Sequence, residues 1–564
     1  DRIMAEMTFQ QAVAAARERA DAGLWEEAEG IFRQILAQHP GHAESWNQLG
    51  LLALRRGDAV GAAERLRRAV EGEPQQPSYR INLAAACRAG GRSGEAVDCY
   101  REALKRQPDR AEIWNNLGSA LLDTGEVAEA IEALEEAIAK DGKQPAFFSN
   151  LGVALERANR LEEAVAAHRM AIERKEDFAV AHTLLGVALS KSNRWEEAGV
   201  AHRRALAIDP NLAMAHNNLG VVLRQLGNRE ESEAAFRKAV TLQPDYAEAH
   251  LNLAQDLLRQ GCFAEGWQEY EWRKYFDASY RTHPALSRPV WDGEEGKGRT
   301  ILLWAEQGFG DAIQFCRYAP LVAERGFKVL LAVRPELKRL MGSLDGLESV
   351  VAEGEGWPGF DLQLPLMSLP MVLGTRVESV PARVPYLFAG GEAVDRWRNR
   401  LADDSTSDRP LRVGLVWAGQ PSHRLDRERS LSLELLRPWI DLAGRSIRFF
   451  SLQKGAAKEA LECAPFPIED LSAELSDFSE TAAAMECLDL IVSVDTAAAH
   501  LAGALGRPVW VLLAEPGEWR WLMEREDSPW YPTMRLFRQS DAGDWAAVVD
   551  RVAVALAVVA AERG

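Results

Sequence analysis

The chain has 564 residues, of which 47% are hydrophobic and 27% are charged, and its formal net charge is −18. A single hydrophobic core stops growing at about 250–300 residues, so the chain must form several cooperative units. The acidic balance argues against a nucleic-acid partner, and no apolar run approaches the ~18–20 residues that a membrane helix needs.

The first half of the chain is an array of repeats with a period of 34 residues. In each unit one position carries leucine, a second carries a small residue and a third usually carries a bulky one. The leucines are Leu49, Leu83, Leu117, Leu151, Leu185, Leu219 and Leu253. This period is typical of tetratricopeptide repeats (TPR), in which small residues let two antiparallel helices approach each other. The pattern predicts an all-α TPR superhelix of about eight repeats over residues 1–275.

The residue before the leucine is asparagine in five of the units, with Gln48 and Leu184 as exceptions. The five are Asn82, Asn116, Asn150, Asn218 and Asn252. One position per repeat falls on one side of a solenoid, so these amides are expected to form a row along the concave surface. An asparagine amide both donates and accepts hydrogen bonds, so the row can bind an extended peptide of any sequence. We interpret it as an acceptor-binding surface; the alternative is that asparagine is simply common at this helix position.

After Trp272 the 34-residue register ends, and short apolar runs alternate with amphipathic segments. Strand–helix alternation predicts parallel sheets with helices on both faces. The predicted strands are 301–304, 328–333, 411–417, 447–452, 488–494 and 508–513. They form two sets, so we predict an N-terminal Rossmann-like lobe at 276–390 and a C-terminal one at 391–564. The polar run 403–408 is predicted to be part of a hinge between the lobes, and the cleft lies at the carboxyl ends of the strands.

Several motifs resemble those of bacterial fusions between tetratricopeptide repeats and a heptosyltransferase-like glycosyltransferase. Residues 302–315 (LLWAEQGFGDAIQF) resemble the opening of their catalytic part, and residues 490–506 (LIVSVDTAAAHLAGALG) are similar to their donor-phosphate segment. Three further stretches match in the same order, at 416–420, 451–455 and 527–532. The resemblance implies a GT-B module that transfers sugar from a nucleotide sugar to Ser or Thr of a protein, with inversion and without metal. Flagellin is an acceptor that it implies.

The candidate catalytic base is Asp311. It follows a predicted strand and a glycine-rich turn that includes Gly310, which places its carboxylate at the mouth of the cleft. The matching aspartate is the proposed base in the heptosyltransferases that the motif resembles. The alternatives are that Asp311 caps the helix beginning at Ala312, or that Glu306 is the base instead.

The second candidate segment also ends a strand and opens a helix, so its amides can face the donor phosphates. The predicted donor-binding residues are Gly310, Gly419, Gln420, Lys454, Asp495, Thr496, Ala497, Ala498 and His500. His500 either bonds a phosphate or serves internal packing, and an ordinary strand-to-helix turn is the alternative for the whole segment. The loop after Gln420 adds three further basic side chains, His423, Arg424 and Arg429. A solvated charged loop is the alternative for the two arginines.

The motifs predict no cofactor besides the donor substrate. The third glycine of a dinucleotide fingerprint would have to stand at Ile313, which argues against NAD. The six cysteines show neither a C-x-x-C pair nor zinc-ligand spacing, and residues 1–10 show no secretory signal, so we expect a cytoplasmic protein without a metal site. Three tryptophans are predicted to clamp the C-terminal lobe to its partner rather than to stack on sugar: Trp519, Trp521 and Trp530.

Two alternatives to the protein glycosyltransferase remain. The first is a non-catalytic adaptor whose repeats bind a partner and whose degenerate lobes bind a nucleotide or merely a partner. The second is a heptosyltransferase-like enzyme directed at a glycan or lipid core, which would make the repeats superfluous. Donor hydrolysis separates the adaptor from both enzymes, and the nature of the acceptor separates the two enzymes from each other.

Overall fold

The structure is a computed structural model, and it describes residues 8–276, 279–402, 410–421, 426–443 and 446–562. The predicted hinge run at 403–408 lies outside these residues. The chain divides into two compact units, Asp1–Leu226 and Gly227–Gly564.

The first unit consists of helices packed in consecutive pairs, as the 34-residue period predicts. The helices of its described part are α1 (Phe9–Asp21), α2 (Trp25–Gln38), α3 (Ala43–Arg55), α4 (Ala59–Gly72), α5 (Pro77–Ala89), α6 (Ser93–Leu104), α7 (Ala111–Thr124), α8 (Val127–Lys140), α9 (Pro145–Arg157), α10 (Leu161–Arg174), α11 (Ala179–Lys191), α12 (Trp195–Ile208) and α13 (Ala213–Gln225). Three more repeat helices open the second unit, α14 (Arg229–Leu242), α15 (Ala247–Arg259) and α16 (Phe263–Tyr270).

In four repeats the small residue is a glycine that lies directly against the bulky residue of the same repeat: Gly50, Gly118, Gly152 and Gly186. A methyl group added at Gly118 would stand 2.6 Å from Cγ of Leu134, and one at Gly152 would stand 2.4 Å from Cε1 of His168. Carbon atoms in contact normally stay about 3.5–4.0 Å apart. The glycines therefore set the distance between the two helices, which explains why the small residue and the bulky residue recur with the same 34-residue spacing.

The rest of the second unit is built on two parallel sheets. The first has the order β3-β2-β1-β4, with β1 (Thr300–Trp304), β2 (Lys328–Val333), β3 (Leu347–Ala352) and β4 (Leu362–Pro365). The second has the order β10-β9-β8-β5-β6-β7, with β5 (Leu411–Val416), β6 (Ile447–Ser451), β7 (Ile468–Asp470), β8 (Leu490–Val494), β9 (Val509–Leu513) and β10 (Met534–Arg538). The predicted fold class is confirmed, with helical repeats followed by parallel sheets and helices consistent with a GT-B module.

Further helices precede the first strand, connect the strands and follow the last one. They are α17 (Ser279–Thr282), α18 (Phe309–Phe315), α19 (Ala319–Glu324), α20 (Pro335–Met341), α21 (Leu369–Val372), α22 (Gly391–Arg400), α23 (Asp426–Arg429), α24 (Phe478–Glu486), α25 (Ala497–Ala504) and α26 (Trp545–Ala561). Short 3₁₀ segments cover Glu271–Tyr275, Pro284–Ser287, Cys316–Tyr318, Leu366–Ser368, Val377–Ser379, Leu433–Leu442, Ala456–Cys463 and Trp519–Trp521. In the described part of the chain, no helix has the length and apolar character needed to span a bilayer.

The last repeat helix is embedded in the core of the second unit. Trp267 of α16 is buried, and its ring centroid lies 5.3 Å from that of Trp519 and 6.4 Å from that of Trp530. Phe263, one turn earlier, lies 6.1 Å from Trp530. Two of the three tryptophans predicted to act as a clamp therefore pack on the end of the repeats, whereas Trp521 stacks on His500.

Candidate functional site

Two strand-to-helix turns meet in the second unit. The first leads from β1 into the start of α18, which includes Gly310, and the second leads from β8 into α25 and contains Thr496. A methyl group added at Gly310 would lie 2.9 Å from Cδ2 of His500 and 3.6 Å from Cα of Ala497. The two turns that the sequence identifies are therefore in direct contact, each at the carboxyl end of a parallel strand, where α/β proteins commonly bind ligands.

Asp311 lies in the first turn of α18, with its side chain 18% exposed. Its Oδ2 accepts a hydrogen bond of 2.9 Å from the amide of Gly308. Its Oδ1 forms an ion pair with the guanidinium of Arg520. The helix begins at Phe309 after the N-cap Gly308, so Asp311 is the third helical residue and bonds back to the N-cap amide, rather than being the N-cap of a helix beginning at Ala312.

Arg520 is a functional candidate that the sequence did not reveal. It lies between two tryptophans, 209 positions from its partner Asp311. Its Nε donates to Oε1 of Gln314 at 2.8 Å, and its Nη1 pairs with Glu518. An arginine that bonds through its whole fork is held in one orientation.

Two further carboxyl groups lie within electrostatic range of Arg520. Burial raises the pKa of Asp495, although Arg520 and Arg429 partly oppose the shift. Burial likewise raises the pKa of Glu518, with Arg520 opposing and Asp495 adding to the shift. In both groups the shift comes from burial, which disfavours the charged form of a carboxyl group.

The start of α25 brings together most of the predicted donor residues. Thr496 is the N-cap, and the first-turn residues Ala497 and Ala498 are half-buried. The Thr496 side chain does not cap the helix, since its Oγ1 lies 3.1 Å from Oγ of Ser493. The amides of this first turn belong to the positive end of the helix dipole, which suits an anion.

His500 has the contacts of a packing residue. It is 4% exposed, its Nδ1 lies 3.0 Å from the Tyr531 hydroxyl, and its ring stacks on Trp521 at a centroid distance of 5.2 Å. Burial lowers the pKa of His500 well below its usual value, and the charges of Arg520 and Arg317 act in the same direction. The ring is therefore neutral, and it adds no positive charge for a phosphate.

The loop after β5 lies at the same sheet edge as the start of α25, because β5 and β8 are parallel neighbours. The amide of Gly419 donates to Oγ of Ser430 at 3.0 Å. A methyl group at Gly419 would lie 2.5 Å from Nη2 of Arg429, so the arginine packs against the bare backbone. Gln420 is exposed. Two predicted cations of this loop, His423 and Arg424, lie outside the described residues.

Lys454 stands after β6 on the same edge, but its ammonium is already engaged. Its Nζ donates to the carbonyl of Ser472 at 3.3 Å and to that of Leu475. The side chain therefore fixes a neighbouring loop. In the described part of the chain, no three His, Cys, Asp or Glu side chains form a group that could hold a metal ion. Metal independence stays a prediction.

Glu306, the alternative base, is fully buried, with 0% of its side chain exposed. Its Oε1 accepts hydrogen bonds from Arg273 at 2.9 Å and from the amide of Met367 at 3.0 Å. Burial raises the pKa of Glu306 to about 7, although Arg273 opposes the shift. A carboxylate without access to solvent cannot reach an acceptor hydroxyl, so Glu306 has a structural role in tying the end of the repeats to the first sheet.

The asparagine row is half-buried in the repeats. In the first unit, Nδ2 of Asn82 donates to Oδ1 of Asn47 at 2.8 Å, and Nδ2 of Asn150 donates to Oδ1 of Asn115 at 2.8 Å. Asn47 and Asn115 each stand one position before the row and are buried. Asn116 and Asn218 accept longer bonds of 3.3 Å from their preceding asparagines. These bonds orient the amides of the row, and Asn252 occupies the same helix position on α15 in the second unit.

An apolar recess of about 290 Å³ lies elsewhere in the second unit, and it shares no lining residue with the predicted donor site. Tyr275, Tyr280, Leu286 and Trp304 are among the side chains that line it. The recess belongs to the segment that links the repeats to the first sheet.

The second unit contains two parallel sheets, and one strand-to-helix turn from each sheet meets the other beside Asp311 and Arg520. This arrangement is that of an α/β ligand-binding module. Comparison with protein families agrees with this class. Residues 443–526 match the model of glycosyltransferase family 9 (heptosyltransferase). Tetratricopeptide repeat models match residues 13–78, 81–145, 132–179 and 213–246. The chain therefore joins protein-interaction repeats to a glycosyltransferase domain.

Among curated proteins, the chain is similar to Protein FlbA of Caulobacter vibrioides, with 28% identity over 330 residues, 53% of each protein. It thus spans about half the length of that relative. A stretch of 72 residues is 39% identical to the probable biofilm formation methyltransferase WspC of Pseudomonas putida, covering 13% of this chain and 17% of that protein. Among solved structures, a tetratricopeptide repeat protein from Parabacteroides merdae matches with a TM-score of 0.40 and 13% identity, over 43% of this chain and 97% of the other.

Proposed function

We propose that the protein transfers a sugar from a nucleotide-sugar donor to a Ser or Thr hydroxyl of a protein acceptor held by the repeats. The observation that supports this most is the contact between the Gly310 turn and the start of α25, with Asp311 and Arg520 paired beside it. A base and an anion site on facing turns are what transfer from a sugar phosphate needs.

In this reaction the acceptor oxygen attacks the anomeric carbon of the donor as the bond from that carbon to the phosphate oxygen breaks. Asp311 takes the hydroxyl proton, and the electron pair of the broken bond stays on the departing phosphate. The first-turn amides of α25 stabilise that negative charge. A single displacement of this kind inverts the anomeric centre, in keeping with the metal-independent GT-B reaction that the motifs imply.

The proposed donor side is tested by incubating the purified protein with a panel of UDP, GDP, ADP and CMP sugars and measuring nucleotide release. One donor should be hydrolysed slowly, and Asp311→Asn should lower this rate about 10²- to 10⁴-fold, as expected for loss of a general base. Asp395→Asn is the matched control, because Asp395 is 69% exposed on α22, where it pairs with Arg398 of the same helix. No turnover with any donor, together with tight binding of a protein partner, would support the adaptor instead.

The proposed acceptor side rests on the asparagine row. Flagellin is the first acceptor to test, because the resemblance of the motifs implies it. The double variant Asn116→Ala and Asn218→Ala should weaken acceptor binding in a pull-down or calorimetric titration while donor hydrolysis stays unchanged. Asn211→Ala is the control, since Asn211 is exposed between repeats and lies outside the row.

A second candidate function is transfer to a glycan or lipid core. It is favoured by the family match, whose description names heptosyltransferases. In that case the Asn116 and Asn218 changes would leave transfer unaffected, and a deacylated lipopolysaccharide core would accept sugar where flagellin would not.

A further inference from the structure

Arg520 is a nearly buried cation at the junction of the two turns, with 8% of the residue exposed. It bonds Asp311 and Glu518 through its two terminal nitrogens and Gln314 through Nε. Its guanidinium carbon also lies 4.2 Å from the ring centroid of Trp519. Each of these contacts holds the guanidinium plane where α18 and α25 meet.

Arg520 pairs with two carboxylates, Asp311 and Glu518. The Glu518 side chain is 30% exposed. The Asp311 side chain is 18% exposed. The same side chain is the proposed base, so in the unliganded protein the candidate base is paired with the candidate cation.

We propose that Arg520 binds the phosphate oxyanion of the nucleotide donor, and that it masks Asp311 until the donor arrives. This inference rests on the proposed function. A phosphate offers the guanidinium fork the same bidentate geometry as a carboxylate and carries more charge, so it competes for the same donor atoms. When the phosphate takes the place of Asp311 at Nη2 of Arg520, Oδ1 of Asp311 is released to accept the hydroxyl proton.

The exchange fits the transfer step without any added reactant. The bond between the anomeric carbon and the phosphate oxygen breaks, and its electron pair remains on that oxygen beside Arg520. The new bond joins the acceptor oxygen to the anomeric carbon, and the acceptor proton moves to Asp311. Donor binding must therefore precede activation of the acceptor, which makes the reaction ordered.

The test measures, by calorimetry, the affinity for the nucleoside diphosphate that most raises the melting temperature of the wild type, and for the matching nucleoside. Arg520→Ala should weaken diphosphate binding about 10- to 100-fold, the usual effect of losing a hydrogen bond to a charged group, and leave nucleoside binding unchanged. Asp311→Asn should tighten diphosphate binding several-fold, because the competing carboxylate is gone. In the double variant the tightening should be smaller, since the exchange needs both partners.

Arg398→Ala is the control for arginine loss, because Arg398 is 65% exposed on α22. If Arg520→Ala does not fold, Arg520→Lys and Asp311→Asn carry the test. Equal diphosphate affinity in the wild type and the Arg520 variant, or an unchanged or weaker affinity in Asp311→Asn, would overturn the inference and leave the proposed function standing. Failure of every nucleotide to bind the wild type would overturn both.

Discussion

Replacing Gly310 with alanine should separate the two turns that form the candidate site. The added methyl group would lie 2.9 Å from Cδ2 of His500, about 0.6 Å inside the normal range for carbon contacts. His500 cannot easily retreat, because it bonds Tyr531 and stacks on Trp521. Such overpacking costs about 1–3 kcal/mol of unfolding free energy. The turns must therefore move apart by several tenths of an ångström.

The effect on turnover should exceed the effect on stability, because a misplacement of about 1 Å in an active site can cost 10²-fold in rate. Donor hydrolysis by Gly310→Ala should fall by about this factor, while urea unfolding shows only the modest loss in stability. Gly391→Ala is the control, since a methyl group there meets nothing within 4 Å. Wild-type turnover and stability in Gly310→Ala would show that the turns are not in contact.

Two further predictions concern buried polar groups. Burial lowers the pKa of His202 to about 4 from an ordinary value of about 6.5, so between these two pH values the unfolded chain takes up a proton that the folded repeat does not. The repeats should therefore lose about 3 kcal/mol of stability as the pH falls from 6.5 to 4, and His202→Leu should abolish this loss in urea unfolding; an unchanged pH profile would contradict it. Arg273→Ala should lower the free energy of unfolding by about 3–5 kcal/mol, because it leaves the buried carboxyl of Glu306 without its ion-pair partner. The double change with Glu306→Gln should restore part of that free energy. Additive losses in that double variant would refute the pairing.

The sequence predicted the six strands that are long and apolar, and missed β3, β4, β7 and β10. The reasons lie in their composition and length. In β3, Glu348 and Ser349 are exposed and interrupt the apolar run. β4 has four residues and β7 has three, too few for a periodic signal. β10 begins with Met534 but carries arginines at two of its five positions.

The candidate site likewise contains residues that the sequence could predict and residues that it could not. Asp311 and Thr496 could be identified because each follows an apolar strand within a motif. Arg520 could not, because its partner is 209 positions away and only the folded chain brings them together. Lys454 was predicted from its isolation among neutral neighbours, yet its ammonium bonds two carbonyls, a geometry that no local pattern encodes.

The burial of Phe263 and Trp267 among the aromatic side chains of the second unit determines where this chain can be cut and joined to another protein. A fragment starting at residue 276, just after the repeat register ends, would lack both rings. Its core would then contain a cavity about the size of an indole. The repeats before Gly227 form a separate compact unit that can be exchanged, and helices α14–α16 belong to the second unit. If the repeats hold the acceptor as proposed, exchanging them at that junction should change the acceptor.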